Sequence, residues 1–462
     1  MRITQRVFLL LPILFGACAL CGCSPGLGPI SLAQPAYTVG GTISGLAGSG
    51  LTFSRNGATI GRGANGMYPD LGMGPLSPGQ GYDVTVISQP TSPSQTCVVS
   101  NGKGTIGNAN VTNVQVACTT KPSRFVYVAN DGSNSISSYA IDATTGALTS
   151  VTTLSVSAGV PHSLAVDPQS GYLYMTNGGT NSVSAYAIDA STGALTAVNG
   201  SPFPTGNNPS SVSIHPGGTL VYVTNQSDGT ISAYSQDPAS GALMAVAGSP
   251  FATGTNPGSA AATDYTNPLL EGFVYAVSGS SKVWAYTIDA NGTTLTGALK
   301  AMPGSPFSAG NNPVSVASDP VDNFIYVADQ GDDTVSAYSA DHISGSLTPI
   351  AGSPFAAGRS PASVVVDTFG RFAYVANGAG GTISAFQINA GVLRAIAGSP
   401  FAAANGPSSL TVDNLGKFLY VANNGSNNIS AYAIDPISGA LTAVSGSPFA
   451  SGNGPTSIAV SN

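Results

Sequence analysis

The chain has 462 residues, of which 7% are charged, with 13 Lys and Arg against 20 Asp and Glu. Ordinary soluble proteins carry about 25% charged residues, so neutral side chains must solvate this surface, and no basic stripe exists to neutralise nucleic-acid phosphates. A hydrophobic content of 42% excludes disorder, and the scarcity of Lys, Arg and Glu beside abundant Ser, Thr, Val, Tyr, Asn and Gly excludes long surface helices and predicts an all-β protein with many turns.

Residues 1–22 read as a targeting segment. Arg2 and Arg6 flank the start of an apolar run, Val7 to Leu20, that is too short to span a bilayer comfortably. Leu20-Cys21-Gly22-Cys23 resembles a bacterial lipobox, which implies cleavage before Cys23 and acylation of that residue. Phe15-Gly16-Ala17-Cys18 is the weaker rival site, and an ordinary secretory signal is the alternative reading. Two or more acyl chains would hold the protein stably on a membrane. The expected location is therefore the bacterial cell envelope, outside the cytoplasm, at the outer membrane or cell surface. Residues 23–35 are uncharged, contain Pro25, Pro29 and Pro35, and read as a tether. Cys18 and Cys21 leave with the signal, so Cys97 and Cys118 remain as an even pair in an oxidising compartment and are expected to form a disulfide.

Residues 36–120 predict a small β-sandwich-like domain. Its best strands are Tyr37–Ile43, Leu51–Phe53, Tyr82–Ile87, Thr96–Val99 and Val111–Ala117, separated by Gly-rich turns. A Cys97–Cys118 bridge would staple one edge of a core this small. The domain carries no ionisable cluster. A spacer or stalk is expected, with a carbohydrate- or protein-binding module as the alternative.

Residues 121–462 repeat. The unit Tyr127-Val128-Ala129-Asn130 recurs at Tyr174, Tyr222, Tyr275, Tyr326, Tyr374 and Tyr420, at steps of 47, 48, 53, 51, 48 and 46 residues. Each copy holds four β-prone runs, as in Ser163–Val166, Tyr172–Thr176, Ser182–Ile188 and Leu195–Val198. Gly-Ser-Pro-Phe follows the fourth run at 200, 248, 304, 352, 398 and 446 but is missing from the first copy. Four antiparallel strands per unit predict a seven-bladed β-propeller. The first copy lacks a leading strand, and Ser457–Val460 at the C-terminus supplies one, which would close the ring and remove open sheet edges.

The Tyr-Val-Ala-Asn units, the Asp-x-x-Ser/Thr-Gly-x-Leu turns and the Pro-x-Ser-x-x-Val-Asp strands resemble seven-bladed lactonase-type propellers and the wider group of YVTN-repeat surface propellers. The resemblance covers residues 121–462 and speaks to fold more than to activity. It implies relatives such as 6-phosphogluconolactonases and muconate cycloisomerases, whose anionic substrates meet His, Arg and acidic residues. Pro161-His162-Ser163 resembles the Pro-His-Ser opening of lactonase-like blades, and an imidazole at the channel rim could act as general base on a lactone. His215 and His342 fall in turns and are expected to face solvent. Arg359 sits in the matching loop of blade six and is the candidate anchor for an anionic group. Asp329, with Gly331, Asp332 and Asp333, resembles the Asp-x-Gly-x-Asp turn of such blades and is a candidate substrate-binding residue. The same oxygens could hold calcium, but the other blades place Asn and Gly here, and a solvated polar turn is expected. Lys282 and Trp284 are expected to pack between blades, and Glu271 stands in an insertion with no assigned role. No catalytic triad, phosphate loop or metal-binding cluster is visible, and neither metal nor cofactor is expected.

Two functions follow. The favoured one is an envelope-anchored, monomeric binding or scaffolding module for a protein or glycan partner. The alternative is a hydrolase of a small lactone, working in the central channel.

Overall fold

The computed structural model describes residues 35–461 apart from 91–94, 121–123, 158, 170, 264–271, 291–294 and 321–323. The expected signal, Cys23, nearly all of the tether and Glu271 lie outside the described residues.

Residues 35–120 form two four-stranded sheets. The five expected strands are present, and three short ones, Ala58–Gly61, Gly66–Tyr68 and Lys103–Thr105, are added. Alternation puts Val39, Ile43, Phe53, Val84, Val114 and Val116 into one buried core. Cys97 and Cys118 face each other across paired strands, Gln95–Ser100 and Val111–Thr120, and are bridged. Gln95–Ser100 is the edge of its sheet, so the bridge does staple an edge.

From Phe125 onward the chain forms seven antiparallel sheets, the blades of a propeller. Blade two shows the pattern, with an inner strand Pro161–Val166, then Tyr172–Asn177, Ser182–Ile188 and Leu195–Ala197. The prediction of four strands is one short in blades two to seven. There the Phe of Gly-Ser-Pro-Phe begins a two-residue strand that pairs with the start of the third strand, as Phe203 does with Val183. The Ser before it accepts a hydrogen bond from a third-strand amide, Ala185 N to Ser201 Oγ at 2.9 Å in blade two, and the bond repeats in the other five. Blade one lacks the tetrapeptide and has a longer outer strand instead, Leu148–Ser155.

The inner strand of blade one comes from the other end of the chain. Pro455–Ser461 pairs with Phe125–Asn130 in the register Ser457–Ala129 and Val460–Val126. Each inner strand now lies against the next around a closed ring. Blade-to-blade fastening follows the repeat. The Tyr of every Tyr-x-x-Asn unit is fully buried and donates its hydroxyl to a Gly carbonyl in the third turn of the next blade. The partners run from Tyr127 to Gly193 at 3.1 Å through to Tyr420, which reaches back to Gly146 of blade one at 3.1 Å. That turn needs Gly twice over. At Gly193 φ is +73°, and a β-carbon would lie 2.4 Å from the Phe125 ring.

The Asn that closes the unit is also buried. Asn225 Nδ2 donates to Thr230 Oγ1 and Ser232 Oγ, and its Oδ1 accepts from Gly206 N; Asn377 repeats this with Thr382, Ser384 and Gly358. Blade four replaces both partners. Ser278 stands for the Asn, and Trp284 stands for the Ser and packs in the seam with blade three. Blade five keeps the Ser but has Asp329. Gly310 N still donates to Oδ1 at 3.1 Å, and Ser336 Oγ now donates to Oδ2 at 2.6 Å. Burial pushes this carboxyl up to about 6, with the Asp332 charge adding to the rise.

Truncation after Gly454 should open the ring and lower the melting temperature of the whole propeller by about 10 °C or more. Calorimetry that shows an unchanged transition would refute the closure. A second expectation concerns Asp329. Its folded-state value lies above the unfolded one, so the fold favours the protonated acid. Stability from this group is full below about pH 4 and falls as pH rises towards 6. Asp329→Asn restores the repeat's own residue. It should stabilise the protein by on the order of 2 to 3 kcal/mol above pH 6 and by little below pH 4, read from denaturant titrations at both values.

Candidate functional site at the channel mouth

All seven inner strands open alike. The residue before the first Pro has positive φ in each blade: Val160, Asn208, Asn256, Asn312, Ser360, Gly406 and Gly454. In four seams an Asn or Asp side chain from the preceding blade holds that residue's amide. Asn134 Oδ1 takes Val160 N, Asn181 takes Asn208, Asp333 takes Ser360 and Asn427 takes Gly454, at 2.6–2.9 Å. Val160 is the outlier of the set. A β-branched residue at φ +52° costs on the order of 1 to 3 kcal/mol, and it stands two residues before His162.

The third position of the inner strand is Ser in every blade, from Ser163 to Ser457. In four seams this hydroxyl accepts the next inner strand's amide, as Ser163 does from Val212 and Ser457 from Leu164. These serines are fasteners and not free nucleophiles. The second position varies: His162, Ser210, Gly258, Val314, Ala362, Ser408 and Thr456. Ser210, Ser408 and Thr456 donate to the Pro carbonyl of the following blade at 2.8–3.0 Å.

His162 takes this variable place in blade two and is half-buried. It lies in the seam towards blade three, over Gly178. A β-carbon on Gly178 would come within 3.3 Å of His162 Cε1 and 3.2 Å of Asn208 Oδ1. Blades one, three, five and seven carry Asp131, Gln226, Gln330 and Asn424 at this place, while blades two, four and six have Gly178, Gly279 and Gly378, so the space beside His162 has no signal in the chain that is unique to blade two. Asn208 donates Nδ2 to Gln226 Oε1 at 2.8 Å. A neutral carboxamide, Asn208, thus shares the space over Gly178 with the imidazole.

The other candidates sit elsewhere. Arg359 is exposed on the same face, in the loop before blade six, and among the described residues pairs with no carboxylate. Blades three to five separate it from His162 on one side of the ring, and blades seven and one on the other. Asp329 is fully buried inside blade five, with both oxygens engaged as described above. A substrate at the mouth does not reach it. Asp332 is exposed but accepts Asn311 N and Nδ2 at 2.7 Å, the arrangement Asp228 makes with Asn207 in the seam between blades two and three. Those oxygens, like the Asp333 oxygen bound to Ser360 N, are committed to the rim's own turns. Among the described residues no three His, Cys, Asp or Glu side chains are grouped to hold a metal ion.

His342 is exposed, as its turn position predicts. His215 is not solvent-facing as expected. It is 3% exposed and fills the place of the buried Asp167, Asp319, Asp367 and Asp413 in other blades, where Nδ1 accepts Gly217 N at 3.0 Å. An acceptor is needed to close that turn, and an imidazole nitrogen supplies one as a carboxylate would.

Among the described residues the mouth thus offers the His162 imidazole and the Arg359 guanidinium on a rim of carboxamides, hydroxyls and carboxylates already bonded to neighbouring amides. An imidazole can accept a proton from water, and a guanidinium can hold an anion.

Comparison with known proteins agrees with this architecture. The family described as "Lactonase, 7-bladed beta-propeller" matches residues 107–204, 171–256 and 350–460, together more than half of the chain. No curated relative matches. A candidate 6-phosphogluconolactonase from Bacteroides fragilis superposes with a TM-score of 0.62 at 18% identity, covering 74% of this chain and 98% of its own. A candidate 6-phosphogluconolactonase from Bacteroides uniformis gives 0.62 at 20%, covering 74% and 100%. The periplasmic gluconolactonase of Pseudomonas aeruginosa gives 0.60 at 17%, covering 73% and 99%. At these identities the likeness is one of fold. On the family match and the closed ring of seven blades, this chain belongs to the lactonase seven-bladed β-propeller family.

Proposed function

We propose that the propeller hydrolyses a small lactone at the mouth of its channel. The observation that carries this is the place of His162, a histidine at the variable second position of an inner strand, in a chain whose family is named for lactonase activity. In the proposed reaction His162 takes a proton from water as the oxygen attacks the lactone carbonyl. The ring C–O bond then breaks, and the leaving alkoxide recovers the proton to give a hydroxy acid. The reaction needs no redox partner. Arg359, exposed on the same face several blades away, draws anionic substrates to the mouth. The similar structures described as gluconolactonases support a sugar lactone as the substrate class.

A second reading keeps the propeller as a binding or scaffolding module for a protein or glycan. What favours it is the rim itself, whose carboxylates are bonded to neighbouring amides and whose imidazole and guanidinium lie several blades apart. In either case we propose that acylated Cys23 holds the protein in the cell envelope outside the cytoplasm.

A panel of sugar lactones, assayed above spontaneous hydrolysis on the chain from Ser24, separates the readings. His162→Ala should lower kcat by about 10²–10⁴ while leaving the melting temperature unchanged. Arg359→Ala should raise KM for anionic lactones and leave neutral ones unaffected. Absence of turnover across the panel would favour the module, and full activity in His162→Ala would remove His162 from the mechanism. For the anchor, Cys23→Ala should release the protein from membranes and abolish fatty-acid labelling. Continued labelling would move the anchor to Cys18.

A further inference from the structure

At the opposite end of the strands, the seam between blades two and three opens into a cleft of about 510 Å³, within the size range of small-molecule sites. Asp167, Tyr172 and Ile188 of blade two form one wall, and the Gly217-Gly218-Thr219 turn with Gln236 and Pro238 of blade three forms the other. Two of these residues depart from the repeat. Tyr172 stands where blades one, four, five, six and seven have Phe125, Phe273, Phe324, Phe372 and Phe418. Gln236 stands where Ile141, Ile188, Ile288, Ile388 and Ile434 stand. Gln236 is 6% exposed, and among the described residues its Oε1 meets no donor. A buried acceptor without a donor destabilises a fold by about 1 to 3 kcal/mol. Five blades use Ile at this place, so folding a blade does not require the amide. Its presence in a cleft wall points to a ligand.

The chemistry of the wall narrows the class. None of the lining residues is Lys or Arg, so nothing there would pair with an anion. Burial and the Asp167 and Asp237 charges push the Tyr172 phenol up, which marks a field that repels negative groups. Asp167 already accepts the Tyr172 amide, and Asp237 accepts Ala239 and Ser240 amides, so their charges are partly spent on the turns. A ligand that both donates and accepts suits the amide and the phenol, while Ile188 and Pro238 present apolar surface. We infer that this cleft binds a neutral polyhydroxylated ring, a monosaccharide unit, at a site separate from the channel mouth.

The test titrates the full chain with D-glucose, D-galactose and N-acetyl-D-glucosamine, and with D-gluconate as the anionic probe. Calorimetry and saturation-transfer NMR are the readouts. At least one neutral sugar should bind at one site per chain, and gluconate should not. Gln236→Ile installs the repeat's own residue, so it should raise the melting temperature and weaken sugar binding about tenfold or more. Gln236→Met, close in shape and without the amide, should weaken it equally. Tyr172→Phe should weaken it by a smaller factor. The inference is overturned if no neutral sugar binds at tens of millimolar, if binding survives both Gln236 variants, or if gluconate binds as tightly as the sugars.

Discussion

A buried tyrosine hydroxyl that reaches the glycine carbonyl of the next blade holds this propeller together. The bond occurs in every seam, including the one that joins blade seven to blade one. It favours a complete ring, because an open array would expose the apolar faces of the terminal blades and leave the Tyr420 hydroxyl and the Gly146 carbonyl without each other. A second set of tyrosines, on the third strands, reaches in the other direction. Tyr139, Tyr286, Tyr338 and Tyr432 donate to backbone carbonyls of the preceding blade at 2.6–2.7 Å. The inner-strand serines add further bonds between neighbours. With 7% charged residues the blades have little material for ion-pair networks. Neutral hydrogen bonds replace them, and salt screens such bonds far less than it screens exposed charges.

Because the scaffold is made seven times over, individuality lies in the departures from it. A residue shared by all blades, such as the inner-strand Ser, serves the ring. One that appears once is free to serve something else, or records a local compensation. Ser278 with Trp284 is a compensation, since both members of a bonded pair changed together. His215 is a substitution of one hydrogen-bond acceptor by another in a turn. Asp329 is a poorer fit, an acid where the repeat wants an amide donor, and its environment answers by favouring the protonated form. His162 and Gln236 belong to neither kind. The strand and turn around each would form equally well with the residues that the other blades use.

Both positions flank the seam between blades two and three, at its two ends. Gly178, without a side chain, lies in this seam beside His162, and Val160 stands in a left-handed backbone two residues before that histidine. Backbone strain and missing side-chain volume are tolerated only where surrounding structure enforces them. Here the enforcing structure is the rest of the ring, which fixes the opening of every inner strand in the same conformation. The same geometry keeps Arg359 far from His162, so any ligand that meets both must extend across the mouth.

Much of the fold was legible in the linear chain. A period near 48 residues, a Tyr at each repeat and a missing first strand recovered at Ser457–Val460 are one-dimensional facts, and closure follows from them because sheet edges must be paired. The Cys97–Cys118 bridge is the pairing expected of the two cysteines that lie beyond the apolar N-terminal segment and its flanking cysteines. The chain could not reveal which polar residues end up inside. Asp329 reads as a rim acid and His215 as a turn histidine, yet both are sealed in, because burial at a blade's end is decided by the neighbouring blade, about 48 residues away. The two-residue strands that begin at the Phe of Gly-Ser-Pro-Phe are too short for any periodicity to register and exist only because the third strand offers free backbone groups to pair with. Local pattern determined the strands and their number. Only the packing of blade against blade decided which side chains remained available to chemistry, since that depends on atoms that the repeat itself does not place side by side.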